Sequence, residues 1–172
     1  LRRSSAASDV YKRQAVHLFQ VDERIAPAGS RDRNDTMIRE RFVDHRPLVQ
    51  YHPMPVEADD ERSALAGHLT ELEHLAGTPA RLDLIQLGLG ADGHTASLVP
   101  GDPVLEATTD VAVSAEYEGS RRWTMTAPLI NRARKRLFLV TGAEKDEALH
   151  RLATGDPSIP GSLITDDQTF LV

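Results

Sequence analysis

The sequence predicts an α/β domain, a mainly parallel sheet with helices on both faces, and three observations predict it. Short apolar runs rich in β-branched and aromatic residues alternate with segments of helical period, the pattern of strands joined by crossover helices. The longest apolar stretches, such as LFLV at 137–140, are strand-sized and far short of the roughly 18 residues a membrane span needs. A chain of 172 residues, 40% hydrophobic and 27% charged, has the size of about one domain with a core of its own.

The elements follow in order. VHLFQV at 16–21 reads as a buried strand. Residues 22–33 are loop-like, with Pro27 and Gly29, and a helix over 34–42 takes Asn34 as its N-cap. Met37, Ile38, Arg41 and Phe42 give that helix an amphipathic spacing. A proline-punctuated stretch at 47–55 leads to a second helix over 59–76, with Leu65, Leu69, Leu72 and Leu75 on one face and Gly77 as its stop. LDLIQL at 82–87 is the next strand, and a glycine-rich loop follows it. Strands are expected at 111–115, 122–126 and 136–141, and a helix over 144–153 turns Ala148, Leu149 and Leu152 inward. The sequence has no internal repeat. In parallel sheets of this kind ligands bind beyond the carboxyl ends of the strands.

Composition excludes several classes of function. With no cysteine, disulfide frameworks, cysteine-ligated zinc and thiol catalysis are out. Twenty basic against 26 acidic residues leave a net charge of −6, so a basic surface for nucleic acid is not expected. The expectation is a soluble, cytoplasmic domain with no membrane partner. The two ends stand apart. LRRSSAASDVYKRQ at 1–14 is Ser- and Arg-rich and aperiodic; it reads as a non-native or disordered leader ahead of a domain over 15–172, with a transit peptide as the alternative. TFLV at 169–172 has the look of a strand's opening, so the chain reads as a fragment.

Gly88-Leu89-Gly90-Ala91-Asp92-Gly93 matches the G-x-G-x-x-G dinucleotide pattern just after a strand, and Glu116 lies near the spacing of a ribose-binding acid. That fingerprint needs a helix to start at the turn, because the helix N-terminus binds the pyrophosphate. Pro100, Gly101 and Pro103 end any helix there after about two turns, so nucleotide binding is set aside. The same loop offers other chemistry. Its glycines let backbone approach a ligand, and Asp92 and His94, two apart, face similar directions in an extended loop. A carboxylate beside an imidazole sets its tautomer and raises its basicity, as a general base requires. Asp-Gly is above all a turn signal, so the segment alone reads as a solvated turn before it reads as a base.

Asp22-Glu23-Arg24 follows the first strand. It is either a surface ion network of little value or the placement of a rigid guanidinium where an anion docks. Arg122 and Lys145 are further cations near strand ends, each a solvated charge if taken alone. Several of them converging on one sheet edge would make a phosphate site in an acidic protein. No metal is called for: His17, His45, His52, His68, His74 and His150 show no His-x-x-x-His spacing.

These residues also carry a resemblance. Val21-Asp22-Glu23-Arg24, Asp32-Arg33-Asn34 and the run from Leu87 through Gly90, Asp92, Gly93, His94, Thr95 and Ser97 to Pro100-Gly101 stand in the order of the 6-phosphogluconolactonases. Arg122-Trp123-Thr124-Met125-Thr126, Asn131-x-Ala133 and Gly142-Ala143-Glu144-Lys145 continue that order. The chain resembles this family over 15–172, and Thr-Ala-Ser-Leu-x-Pro-Gly is the most specific part. The resemblance implies a doubly wound, Rossmann-like fold. It also implies an N-terminal helix, strand and Ser-Gly-Gly-Ser-type loop, and a closing strand and helix, that this sequence does not contain, so the fold is expected to be incomplete. The wider superfamily includes glucosamine-6-phosphate isomerase/deaminases, in which Phe-Asn-Glu-Pro follows the histidine. Ser97-Leu98-Val99-Pro100 stands in that place here, without the glutamate.

The activity so implied is hydrolysis of 6-phosphoglucono-1,5-lactone to 6-phosphogluconate, in the oxidative branch of the pentose phosphate pathway, with no cofactor and a sugar phosphate as the partner molecule. His94 is the implied base and Asp92 its holder. Arg24 and Lys145 bind phosphate or steady the oxyanion, Arg122 is a third cation, and Asn34, Ser97, Gly90 and Gly93 are supporting contacts. Asn34 and Ser97 read equally as cap or turn hydrogen bonds. The alternatives are isomerase/deaminase chemistry and a non-catalytic sugar-phosphate sensor. Oligomeric state is not legible.

Overall fold

A computed structural model describes residues 16–46, 48–164 and 168–172; the leader expected at 1–14 lies outside the described residues. In chain order the elements are β1 (His17–Phe19), β2 (Asp22–Arg24), α1 (Asn34–Arg41), β3 (Gln50–His52), α2 (Glu61–Ala76), β4 (Ile85–Leu87), β5 (Val111–Val113), β6 (Arg122–Met125), α3 (Ala127–Arg132), β7 (Arg136–Phe138), α4 (Asp146–Ala153) and β8 (Thr169–Leu171). Single 3-10 turns punctuate them, among them Pro103–Glu106 and Pro160–Leu163. No helix among the described residues is long and apolar enough to cross a membrane.

Parallel pairing joins β1 to β3, and β4 to β7 to β8, as an α/β layout requires. A third sheet is antiparallel, in the order β2-β6-β5, and the sequence had not separated it from the rest. The strand expected at 16–21 supplies β1 alone, and the segment from Asp22, expected as loop, opens with a strand of the third sheet. The chain leaves the first after Phe19 and enters the third at Asp22. The buried Gln20 ties that junction, accepting from the Met54 amide at 2.6 Å and donating to Glu23 at 2.8 Å. β3 arises within the proline-punctuated stretch, where no strand was expected.

Packing follows the side-chain periods. In β4, Ile85 and Leu87 are buried and Gln86 between them is exposed. All four residues of β6 are buried, because it lies between two strands and is covered on both faces. On α2, Leu72 is fully buried, Leu65 and Leu69 partly so, and Leu75 faces out at the end. Asp60 caps that helix by accepting from the Ser63 amide at 3.1 Å, and Gly77 stops it. On α4, Ala148 and Leu152 enter the core and Leu149 packs against it.

Two expectations for α1 need correction. The helix buries none of its residues; Met37 and Phe42 are exposed, so the spacing seen there is not a core face. Nor is Asn34 its cap: Arg33 holds that position without a side-chain bond, and Asn34 is already helical. The first turn is satisfied from elsewhere. Glu23, fully buried, accepts from the Asn34 amide at 2.8 Å and the Asp35 amide at 2.7 Å. A carboxylate on a helix N-terminus meets both the free amides and the dipole. Arg33, also buried, pairs with Glu23 at 3.1 Å and with Glu57. Arg136 answers the opposite problem on α3: its buried guanidinium donates to the carbonyls of Ile130, Asn131 and Ala133 at the helix's end.

Candidate active site

The glycine-rich loop leaves β4 at its carboxyl end and folds on itself rather than opening a helix. Gly90 N donates to His94 O at 2.8 Å, Gly93 N to Gly90 O at 3.0 Å, and Thr95 and Leu98 close a small bridge. The refusal of the dinucleotide pattern thus rests on observed backbone, since the next helical turn is the 3-10 segment Pro103–Glu106.

Two glycines make the loop possible. A Cβ on Gly90 would run into His94 Nδ1 and Asp92 Oδ1, so the Asp–His pair lies directly over its Cα. Gly93 has φ +84°, and a Cβ there would stand 2.5 Å from Ile159 Cβ. Gly93 O also accepts from Gly161 N at 2.9 Å, which pins the loop to the turn after α4.

Asp92 and His94 do meet. Asp92 Oδ1 lies 2.6 Å from His94 Nδ1 and accepts from the His94 amide at 3.1 Å. An ionised carboxylate only accepts, so the network assigns the proton to Nδ1 and leaves the Nε2 lone pair available. Tyr117, which the sequence did not single out, donates to Asp92 Oδ2 at 3.2 Å and meets the His94 ring edge-on, centroids 5.6 Å apart. Burial works to lift the Asp92 carboxyl, but the bonds from the His94 amide and ring and from Tyr117 outweigh it and hold Asp92 below its ordinary range. Burial, with the Asp92 charge, pushes the Tyr117 hydroxyl up.

His94 faces a cavity of about 280 Å³ lined also by Asp22, Gly88, Gly90 and Lys145. A second, more polar hollow of about 460 Å³ is lined by Arg24, Arg31, Asp32, Glu118 and Arg122. The predicted cations therefore divide: Lys145 shares the cavity of His94, and Arg24 and Arg122 share the other. Arg24 Nη1 donates to Asp32 O at 2.8 Å. The buried Arg122 lies over the Tyr117 ring, 5.0 Å from its centroid, and reaches Glu118 at 3.2 Å.

Asn34 and Ser97 turn toward Asp22. Ser97 Oγ donates to Asp22 Oδ2 at 2.7 Å, and Asn34 Nδ2 to Asp22 O at 3.0 Å and Oδ1 at 3.3 Å. The Ser97 amide donates to Thr124 Oγ1 at 3.1 Å, tying the loop to β6. Burial lifts the Asp22 carboxyl above its ordinary range, against the Ser97 hydrogen bond and the charges of Arg122 and Arg24. Period-two alternation was the available signal. In β2, Asp22 and Arg24 share one face and Glu23 takes the other, which makes Glu23 a structural group and Asp22 a cavity wall. No spacing rule could have found Tyr117, which is 25 positions from Asp92. Among the described residues no group of three or more His, Cys, Asp or Glu is placed to hold a metal ion.

Fold and site together define an α/β protein with an Asp–His pair on a glycine-rich loop at the carboxyl end of a parallel strand, beside basic side chains. The chain belongs to the glucosamine-6-phosphate isomerase/6-phosphogluconolactonase family, which matches it over residues 1–172. It is 40% identical to the 6-phosphogluconolactonase of Synechocystis over 142 residues, covering 79% of this chain and 59% of that one. It is 34% identical to the 6-phosphogluconolactonase of Mycobacterium tuberculosis over 176 residues, 94% of this chain and 71% of that protein. The solved 6-phosphogluconolactonase of Trypanosoma brucei superposes with a TM-score of 0.71 at 25% identity, over 89% of this chain and 69% of that one. The chain thus spans somewhat over half the length of the cyanobacterial relative.

Proposed function

We propose that this chain carries 6-phosphogluconolactonase chemistry: hydrolysis of 6-phosphoglucono-1,5-lactone to 6-phosphogluconate, in the cytoplasm. The observation that carries the reading is the 2.6 Å pairing of His94 Nδ1 with Asp92 at the wall of a cavity that Lys145 also lines. A lactone carbonyl is already electrophilic, so the reaction needs a base for water and a donor for the developing oxyanion. His94 Nε2 takes a proton from the attacking water as its oxygen bonds to the lactone carbon. Lys145 stabilises the oxyanion. Collapse breaks the ring C–O bond, and the imidazolium returns its proton to the leaving oxygen, so no cofactor enters. Asp92 keeps the imidazole in the required tautomer and steadies its charged form. Arg24 and Arg122, which line the neighbouring hollow, bind the 6-phosphate on this reading, and their sharing of that hollow apart from Lys145 supports it.

The test is acid release from the lactone, measured against its spontaneous opening, with the chain and its His94→Ala variant. A rate above background that His94→Ala abolishes supports both the activity and its base. A His94→Ala variant that turns over as fast as the parent removes His94 from the mechanism. No rate above background, with saturable binding of 6-phosphogluconate, replaces the enzyme by a sugar-phosphate sensor.

A further inference from the structure

Arg122, at the start of β6, lines the neighbouring hollow with a buried guanidinium, and one edge of that guanidinium is only half used. Its Nη2 donates to Glu118 Oε2 at 3.2 Å and, at 3.5 Å, to the Tyr117 carbonyl. Its Nε, on the same edge, is buried and has no hydrogen-bond partner among the described residues. A buried donor left in that state is costly. Nε and Nη2 together form the fork that takes two oxygens of one carboxylate or phosphate. Glu118 answers it with one oxygen.

Of the two partners, Glu118 is the one able to leave. Its side chain is 65% exposed, against 5% for Arg122. The Tyr117 ring, 5.0 Å from the guanidinium, holds Arg122 in place by a cation–π contact. The turn that carries Glu118 is closed at both ends: Tyr117 N donates to Ser120 O at 3.0 Å, and Ser120 N to Tyr117 O at 3.2 Å. Rotation about the side-chain bonds of Glu118 therefore releases Arg122 without moving the backbone. A glutamate is also out of place there. Glu118 has φ +50° and Gly119 φ +79°, the two central positions of a tight hairpin turn, where Gly, Asn or Asp is favoured first. The chain accepts backbone strain to set a carboxylate on this guanidinium.

We propose that Glu118 is a built-in competitor for the phosphate-binding edge of Arg122, an inference that rests on the reading of this hollow as the 6-phosphate seat. In the free protein its carboxylate takes Nη2 and offsets part of the positive charge that Arg24, Arg31 and Arg122 bring to the hollow. A phosphate dianion carries more charge and has oxygens for both Nε and Nη2, so it also satisfies the donor that Glu118 leaves bare. Glu118 then turns to water, which solvates its charge. A sugar lactone without a phosphate has no charge with which to displace the carboxylate. Glu118 thus makes the hollow select phosphorylated substrates and sets how tightly they bind.

The experiment is a calorimetric titration of the 172-residue chain with inorganic phosphate, repeated with 6-phosphogluconate. Glu118→Gln binds each about two- to fivefold more tightly than the parent, the fold-change equivalent of an exposed ion pair that no longer has to be broken. Glu116→Gln removes the same charge at an exposed position outside the hollow and binds them as the parent does. Arg122→Lys loses the two-donor edge and binds at least tenfold more weakly. No gain in Glu118→Gln, or an equal gain in Glu116→Gln, overturns the proposal, and a weakened Arg122→Lys then leaves the phosphate reading of the hollow standing. A parent that does not bind phosphate, or an Arg122→Lys variant that binds it as tightly as the parent, overturns that reading and this inference with it. Both glutamates are exposed, so their comparison decides the proposal even if Arg122→Lys fails to fold.

Discussion

Ser97 and Asp22, 75 positions apart in the chain, are joined by a 2.7 Å hydrogen bond from the serine hydroxyl to the carboxylate. That bond fastens the loop after β4 to the strand β2, and so sets His94 and Asp22 on the walls of one cavity. Ser97→Ala deletes the donor and leaves a charged acceptor in a buried place. It should cost about 1–3 kcal/mol of stability. Urea unfolding of the two proteins measures it, and an unchanged midpoint would show that the loop holds without this tie.

Asp92→Asn replaces an acceptor by a group that can present its amide to Nδ1 and favour the wrong tautomer. The lactone hydrolysis rate should fall on the order of 10²–10⁴-fold with little change in KM. Tyr117→Phe removes a single neutral donor from the same carboxylate and should cost less than about tenfold. Equal losses in the two variants would mean that Asp92 acts through something other than the histidine.

The Asp22 carboxyl is raised by burial above its ordinary value of 3.8. The native state therefore holds this proton more tightly than the unfolded chain does. Its contribution to stability falls as pH rises from about 3.8 to the raised folded value, and then levels off. Subtracting the Asp22→Asn unfolding free energy from the parent's at each pH should give a curve that descends through that window. A flat or rising difference would contradict the burial argument. Asp92, held low, acts in the opposite sense: its stabilisation is present above 3.8 and is lost as pH falls through its folded value.

Glu23→Ala removes the carboxylate that two amides of α1, Gln20 and Arg33 all use. Arg33 keeps Glu57 but loses its fully buried partner. The expected loss is about 3–5 kcal/mol, the scale for breaking a buried ion pair from one side. Denaturant unfolding checks it; a loss below about 1 kcal/mol, within the range of exposed pairs, would mean that water replaces the carboxylate.

The strands within 82–87, 111–115, 122–126 and 136–141 and the 16-residue helix α2 were legible because period and length declare them, whereas β2 and β3 fell in segments read as loop. The Asp–His pair was legible because both residues lie in one short loop. What stayed hidden came from distant partners. That Asn34 and Ser97 both bond Asp22 shows only in a fold that brings three segments together. Arg136 reads as the polar start of an apolar strand, and only the position of α3 shows that its guanidinium meets three carbonyls. The apolar spacing on α1 is real in the sequence, but no core lies on that side to receive it.

The pairing of β2 with β6 sets Asp22 opposite Thr124, Glu23 opposite Trp123 and Arg24 opposite Arg122. A slip of one residue would turn every side chain of β2 to the other face. Glu23 would leave the amides of α1, and Asp22 and Arg24 would leave their cavities together. The misaligned chain forfeits its buried Glu23–Arg33 pair at the same moment as both cavities lose a wall. Folding in the correct frame and assembling both cavity walls are therefore a single event, so quality control that senses only stability also removes the chain whose cavities are unmade.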